Sequence, residues 1–91
     1  MSIQTVGIIG AGTMGNGIAQ ACAVSGVNVV MVDISDAAVA KGLATVSGSL
    51  DRLIKKEKIT EADKAAALSR IKTSTNYDDL KGAQLVIEAA T

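Results

Sequence analysis

The chain has 91 residues, of which 48% are hydrophobic and 20% charged, and its formal net charge is zero. This composition is typical of a globular protein, and without excess positive charge it does not predict a nucleic-acid partner. One cysteine excludes a disulfide framework, and no apolar run has membrane-spanning length, so we expect a cytoplasmic protein with no membrane partner. No histidine is available as a base or metal ligand, and we predict no metal site. A single aromatic residue, Tyr77, argues against base stacking.

The first predicted strand, residues 5–9, leads directly into a Gly-x-Gly-x-x-Gly turn and a helix over residues 13–25. Gly10 permits a sharp turn, Gly12 lets the backbone approach a pyrophosphate, and Gly15 lets the helix pack closely on the strand. The helix N-terminus directs free N–H groups at the phosphates. We expect Gly26 to cap the helix, with one shared face formed by Met14, Ile18, Ala21, Cys22 and Ser25.

A second apolar run, residues 27–33, predicts a strand buried on both faces, and it ends in Asp33. In a dinucleotide-binding unit, an acid at this distance from the glycine turn accepts hydrogen bonds from the adenosine ribose. The carboxylate also repels a 2′-phosphate, and no arginine follows closely, so we predict NAD as the cofactor. The alternative, a helix N-cap, is less favoured because Ser35 is available for that function.

A long helix is predicted from Ser35 to near Lys58, because apolar residues recur at spacings of four and three. They are Val39, Leu43, Val46, Leu50 and Leu53. The segment Thr60 to Asp63 resembles a capping box and opens another helix to about Arg70. The two helices form a hairpin where a plain mononucleotide-binding unit has one crossover helix.

The remaining residues predict a short strand over 71–75, a turn over 76–82 and a buried strand over 84–88. The elements together predict an α/β fold, a Rossmann-type doubly wound parallel sheet with a helical-hairpin insertion after the second strand. Ligands of such sheets bind at the carboxyl ends of the strands, so the loop after the last strand should complete the site. We therefore expect a truncated chain, residues 1–91 being the N-terminal part of an NAD-binding Rossmann domain.

Four stretches of the sequence resemble the beginning of the 3-hydroxyacyl-CoA dehydrogenases, and the bacterial 3-hydroxybutyryl-CoA dehydrogenases in particular. They are Gly-Ala-Gly-Thr-Met-Gly-Asn-Gly-Ile-Ala-Gln, Val-Val-Met-Val-Asp, Ser-Leu-Asp-Arg-Leu-Ile-Lys-Lys and Leu-Val-Ile-Glu-Ala-Ala-Thr. The resemblance covers the whole chain. It implies hydride transfer between NAD(H) and a short-chain 3-hydroxyacyl-CoA or 3-oxoacyl-CoA in fatty acid metabolism.

The resemblance also implies functions for particular residues. Asp33 would bind the adenosine ribose, and the backbone of Ala89 would line the nicotinamide side. The pyrophosphate would be held by Gly10, Ala11, Gly12, Thr13, Met14 and Gly15. The family's catalytic His–Glu pair and its dimer-forming helical domain lie further along the chain. We therefore predict no catalytic residue and no activity in these 91 residues, and a homodimer for the longer protein.

The resemblance places contacts with the acyl-CoA substrate at Ser49 and Lys56. These residues and Arg52 are spaced three and four apart, so they share one helix face. Lys55 and Lys58 complete a basic patch suited to the CoA phosphates. The alternative is a solvated basic face near a helix C-terminus. We favour CoA binding for Ser49 and Lys56, and Arg52 is a candidate for which both interpretations stay open.

Two other functions remain open. One is an NAD-dependent dehydrogenase of free 3-hydroxyacids, which would have a similar glycine turn but would not need a basic hairpin. The other is a non-catalytic dinucleotide-binding module, used as a sensor or as a structural protein.

Overall fold

A computed structural model describes residues 3–89. Its helices and strands are β1 (Thr5–Ile9), α1 (Thr13–Val24), β2 (Asn28–Val32), α2 (Asp36–Lys55), α3 (Glu61–Arg70), β3 (Ile71–Ser74), a 3₁₀ helix (Tyr77–Gly82) and β4 (Leu85–Glu88). The last two residues of the Leu-Val-Ile-Glu-Ala-Ala-Thr motif lie outside the described residues. Within residues 3–89, no helix is both long and apolar enough to cross a membrane.

The four strands form one parallel sheet in the order β3-β2-β1-β4. Ile8 of β1 lies in register with Met31 of β2 and with Ile87 of β4. The three α-helices contact one another and form a layer against the sheet. Ile8, Met31 and Leu50 are fully buried between these layers. The predicted Rossmann-type sheet with a helical hairpin after its second strand is confirmed.

Local capping chemistry sets the helix ends. Gly26 has φ +91°, and its N–H donates to Ala23 O at 3.1 Å while Val27 N–H donates to Cys22 O at 2.9 Å. This pair of bonds is a Schellman motif, for which glycine has the required conformational freedom. Ser35 Oγ accepts from Ala38 N at the start of α2, and the capping box predicted at the start of α3 is present.

The shared face predicted for α1 is not its buried face. Met14 is 55% exposed, and Ala21 and Ser25 are exposed too. The buried residues are Gly15, Ala19 and Ala23. Their small size lets α1 lie close to the sheet, and the larger apolar side chains are displaced to its flanks. Cys22 is half-buried and packs against the core as a free thiol.

Two further predictions were wrong. The helix α2 ends at Lys55 and not near Lys58, because Glu57 adopts a left-handed conformation with φ +59° that leads the chain out of the helix. Strand β4 is not buried, and its Leu85 and Val86 are 43% and 45% exposed. Among the described strands β4 pairs only with β1, so it lies at an edge.

Candidate dinucleotide-binding site

The glycine turn leaves β1 at its carboxyl end. Gly10 has φ +106°, a conformation that L side chains rarely adopt, and its N–H donates to Val32 O at 2.7 Å. The helix α1 then passes directly over the turn. A Cβ placed on Gly15 would lie 1.8 Å from Gly10 O. The third glycine is therefore required for the close contact between helix and strand.

Asp33 lies one residue past β2, next to this turn. Its Oδ2 accepts from Ala11 N at 2.8 Å, and its Oδ1 accepts from Ile34 N at 2.6 Å. Both carboxylate oxygens are thus positioned by backbone N–H groups. A carboxylate has further acceptor capacity at each oxygen, so it can also receive hydroxyl groups of a ligand.

The N-terminus of α1 differs from those of the other two helices. Ser35 caps α2 and Thr60 caps α3, and both helices carry acidic residues in their first turn. The N-cap of α1 is Gly12, which has no side chain, and its first turn contains no acid. Apart from Gly12 itself and its two chain neighbours, no heavy atom of residues 3–89 lies within 4 Å of a Cβ placed on Gly12. An uncapped, unshielded helix terminus with open space before it fits an anionic group such as a pyrophosphate.

A cleft of about 690 Å³ opens over the carboxyl ends of β1, β2 and β4. Of the predicted cofactor-binding residues, it brings together Gly10, Gly12, Thr13, Met14, Asp33 and Ala89. Ala11 and Gly15 are buried beneath the turn and shape it from below. Ile9, Ile34 and Tyr77 complete the lining.

The predicted CoA-binding residues lie apart from this cleft, on the C-terminal part of α2. Ser49 is half-buried, Arg52 is exposed, and the exposed Lys56 is the C-cap, with its N–H donating to Arg52 O at 3.1 Å. None of the three lines the cleft.

Three residues near the turn were not predicted from the sequence. A Cβ on Gly42 would lie 2.6 Å from Ala11 O, so α2 also packs directly on the turn. A glycine inside a helix lowers helix stability, and that cost was a signal for a packing function. Ile34 and Tyr77 gave no comparable signal, because only the folded sheet brings the ends of β2 and β3 together.

The parallel sheet, the uncapped helix terminus and the carboxylate after β2 define a dinucleotide-binding domain of the Rossmann type. Residues 5–91 match the family model described as "3-hydroxyacyl-CoA dehydrogenase, NAD binding domain". The chain belongs to this family of NAD-binding domains.

Similar proteins carry related names. The chain is 48% identical to a 3-hydroxybutyryl-CoA dehydrogenase of Bradyrhizobium diazoefficiens over 97% of its own length and 30% of that protein's. It is 81% identical to the solved (S)-3-hydroxybutyryl-CoA dehydrogenase of Ralstonia eutropha, with a TM-score of 0.97, over 99% of this chain and 32% of that one. A Mycobacterium tuberculosis 3-hydroxybutyryl-CoA dehydrogenase is 40% identical over 97% of this chain and 31% of its own. The chain therefore spans about a third of the length of these relatives.

Proposed function

We propose that the chain is the N-terminal part of a longer NAD-dependent dehydrogenase that acts on short-chain 3-hydroxyacyl-CoA or 3-oxoacyl-CoA. The observation that carries the cofactor assignment is the open space at Gly12, before the uncapped terminus of α1 and beside the Asp33 carboxylate. The acyl-CoA assignment is supported by the names of the relatives.

In this proposal each group has a limited task. The backbone N–H groups at the start of α1 bind the pyrophosphate, Asp33 receives the ribose hydroxyls, and Ala89 lines the nicotinamide side of the cleft. Bound NAD supplies the hydride chemistry, and the chain's own residues orient it. The general base comes from residues beyond this chain, as does the dimer interface. The cytoplasmic location likewise stays a prediction.

Asp33 should set the preference for NADH over NADPH. Replacing it with asparagine keeps an oxygen to accept a backbone N–H but removes the charge that repels a 2′-phosphate. We expect Asp33→Asn to lower the ratio of NADH affinity to NADPH affinity about tenfold. This change corresponds to the free energy of one hydrogen bond to a charged group. Calorimetric titration with both cofactors measures this ratio. Equal affinities in the unmutated protein would contradict the assignment of Asp33.

Lys56 should act on the acyl-CoA substrate and not on the cofactor, because it lies away from the cleft. In the longer enzyme, Lys56→Ala is expected to raise KM for acetoacetyl-CoA several-fold and to leave KM for NADH unchanged, since an exposed phosphate contact is worth up to about 1 kcal/mol. The effect should decrease with added salt. Lys72→Ala, which removes an exposed lysine of β3, is the matched control.

The same assay separates the alternatives. Turnover of free acetoacetate at the rate of acetoacetyl-CoA would favour a dehydrogenase of free acids. NADH binding with no turnover of either compound by the longer protein would favour a non-catalytic module. An unchanged KM for acetoacetyl-CoA in Lys56→Ala would mean that the basic patch is only a solvated helix end.

A further inference from the structure

A second pocket, of about 280 Å³, lies beside the cofactor cleft, between the start of α1 and the first half of α2. Gly12, Thr13 and Asp33 line both the cleft and the pocket, so the two adjoin at the glycine turn. The proposed function gives this pocket no task. Its other lining residues are Ala11, Asn16, Ala38, Lys41, Gly42 and Thr45.

The backbone of Ala11 holds the two sides of the pocket close together. Its N–H donates to Asp33 Oδ2 at 2.8 Å, and its carbonyl oxygen lies 2.6 Å from the position of a Cβ placed on Gly42. One residue therefore contacts both the carboxylate after β2 and the helix α2. Lys41 precedes Gly42, and Ala38 lies three residues earlier on the same helix face. Both line the pocket together with Asp33.

Lys41 gives the pocket a positive charge. Among the described residues it is the only cation in the lining. It is exposed, and it forms no ion pair within 4 Å in residues 3–89, although Asp33 lines the same pocket. Thr45, one turn later in α2, donates its hydroxyl to Lys41 O at 2.9 Å. The ammonium group of Lys41 is therefore available to an anionic group that lies next to Asp33.

The position of Asp33 indicates which anion this is. In the proposed function the carboxylate receives the hydroxyls of the adenosine ribose. A group attached to the 2′-oxygen of that ribose must then lie next to Asp33, where the pocket begins. NADH carries a hydroxyl at this position and NADPH carries a phosphate. The phosphate is repelled by Asp33 and attracted by Lys41.

We propose that Lys41 is a second determinant of cofactor preference, because its ammonium group binds the 2′-phosphate of NADPH in this pocket and offsets part of the repulsion by Asp33. This inference rests on the proposed function, since it takes Asp33 as the partner of the adenosine ribose. The preference for NADH is then set by an opposing carboxylate and an attracting lysine together. Removing the carboxylate should make the contribution of Lys41 easier to measure.

Calorimetric titration of four chains with NADH and with NADPH measures this contribution. They are the unmutated chain, Asp33→Asn, Lys41→Ala and the double variant. In the Asp33→Asn chain, adding Lys41→Ala is expected to weaken NADPH binding about fivefold, the value for an exposed ion pair. NADH binding should stay the same, because NADH has no charge at the 2′-oxygen. The loss should decrease with added salt.

Two further variants serve as controls. Lys41→Arg keeps the positive charge and should retain NADPH binding. Lys72→Ala removes an exposed lysine of β3 outside the pocket and should bind both cofactors normally. Circular dichroism verifies that each variant is folded.

Backbone amide resonances of the isotope-labelled Asp33→Asn chain give a second measurement. NADH and NADPH differ only in the 2′-phosphate, so the difference between their shift patterns locates this phosphate. We expect the difference to be concentrated at Ala38, Lys41 and Thr45. A difference confined to Ile34 and Ser35 would place the phosphate outside the pocket and contradict the inference.

The outcomes distinguish this inference from the proposed function. If NADH binds but the affinity for NADPH is the same with and without Lys41, the inference is wrong while the NAD site stands. If Lys41→Ala weakens NADH and NADPH binding equally, Lys41 acts on a group that both cofactors share, and the inference is wrong again. If the folded unmutated chain binds neither cofactor, the cofactor site itself is overturned, and the inference with it.

Discussion

Replacing Gly15 with alanine is expected to lower the free energy of unfolding by about 3 kcal/mol or more, the upper end of what overpacking costs. The added Cβ would lie 1.8 Å from Gly10 O and 2.8 Å from Gly10 C. Both are backbone atoms of a turn that cannot rotate away, so α1 must shift off the sheet. Since the whole stability of a domain is about 5–15 kcal/mol, the variant loses a large share of it.

Gly17→Ala is the matched control for this prediction. Gly17 lies in the same helix. Apart from its chain neighbours and the backbone of the helix itself, no heavy atom of residues 3–89 lies within 4 Å of its Cβ position. Alanine favours a helix over glycine by about 1 kcal/mol, so this variant should be as stable as the unmutated chain or more stable. Urea unfolding followed by circular dichroism measures both. Equal stability of the two variants would show that the close packing at Gly15 is not required.

Gly12→Val has the largest expected effect on binding. The backbone at Gly12 has φ −71° and ψ −164°, an extended conformation that valine adopts readily, and its Cβ position is open. The fold should therefore be retained. The branched side chain would occupy the space before α1, and NADH affinity should fall roughly 100-fold or more, because hydrogen bonds to a charged group contribute about 1.5–3 kcal/mol each. Calorimetric titration of the folded variant with NADH measures this loss. An unchanged affinity would show that the pyrophosphate does not bind at the glycine turn.

The parts of the fold that were predicted correctly depend on local chemistry. The Schellman end at Gly26, the Ser35 cap and the capping box at Thr60 each follow from residues within one helical turn of each other. The apolar face of α2 was also predicted, because its apolar residues recur at helical spacing over the length of a long helix. The glycine turn and Asp33 belong to a motif whose spacing is itself the signal.

The incorrect or missing predictions depend on contacts between distant parts of the chain. The buried residues of α1 were not predicted, because close approach to the sheet selects the small residues Gly15, Ala19 and Ala23. The exposure of β4 follows from its position at the edge of the described sheet, and strand composition does not encode that position. Tyr77 reaches the cleft only because β3 pairs with β2, so its position in the sequence did not indicate that it lines the cleft.

We infer that this chain binds NAD(H) at the glycine turn and Asp33. Titration of the isotope-labelled chain with NADH, followed through its backbone amide resonances, tests this claim most directly. We predict saturable shifts in the glycine turn and after β2, with the C-terminal part of α2 unchanged. The shifts should be concentrated at Gly10, Ala11, Gly12, Thr13, Met14 and Ile34. Shifts concentrated around Ser49 and Lys56, or no shifts in a folded chain, would contradict it.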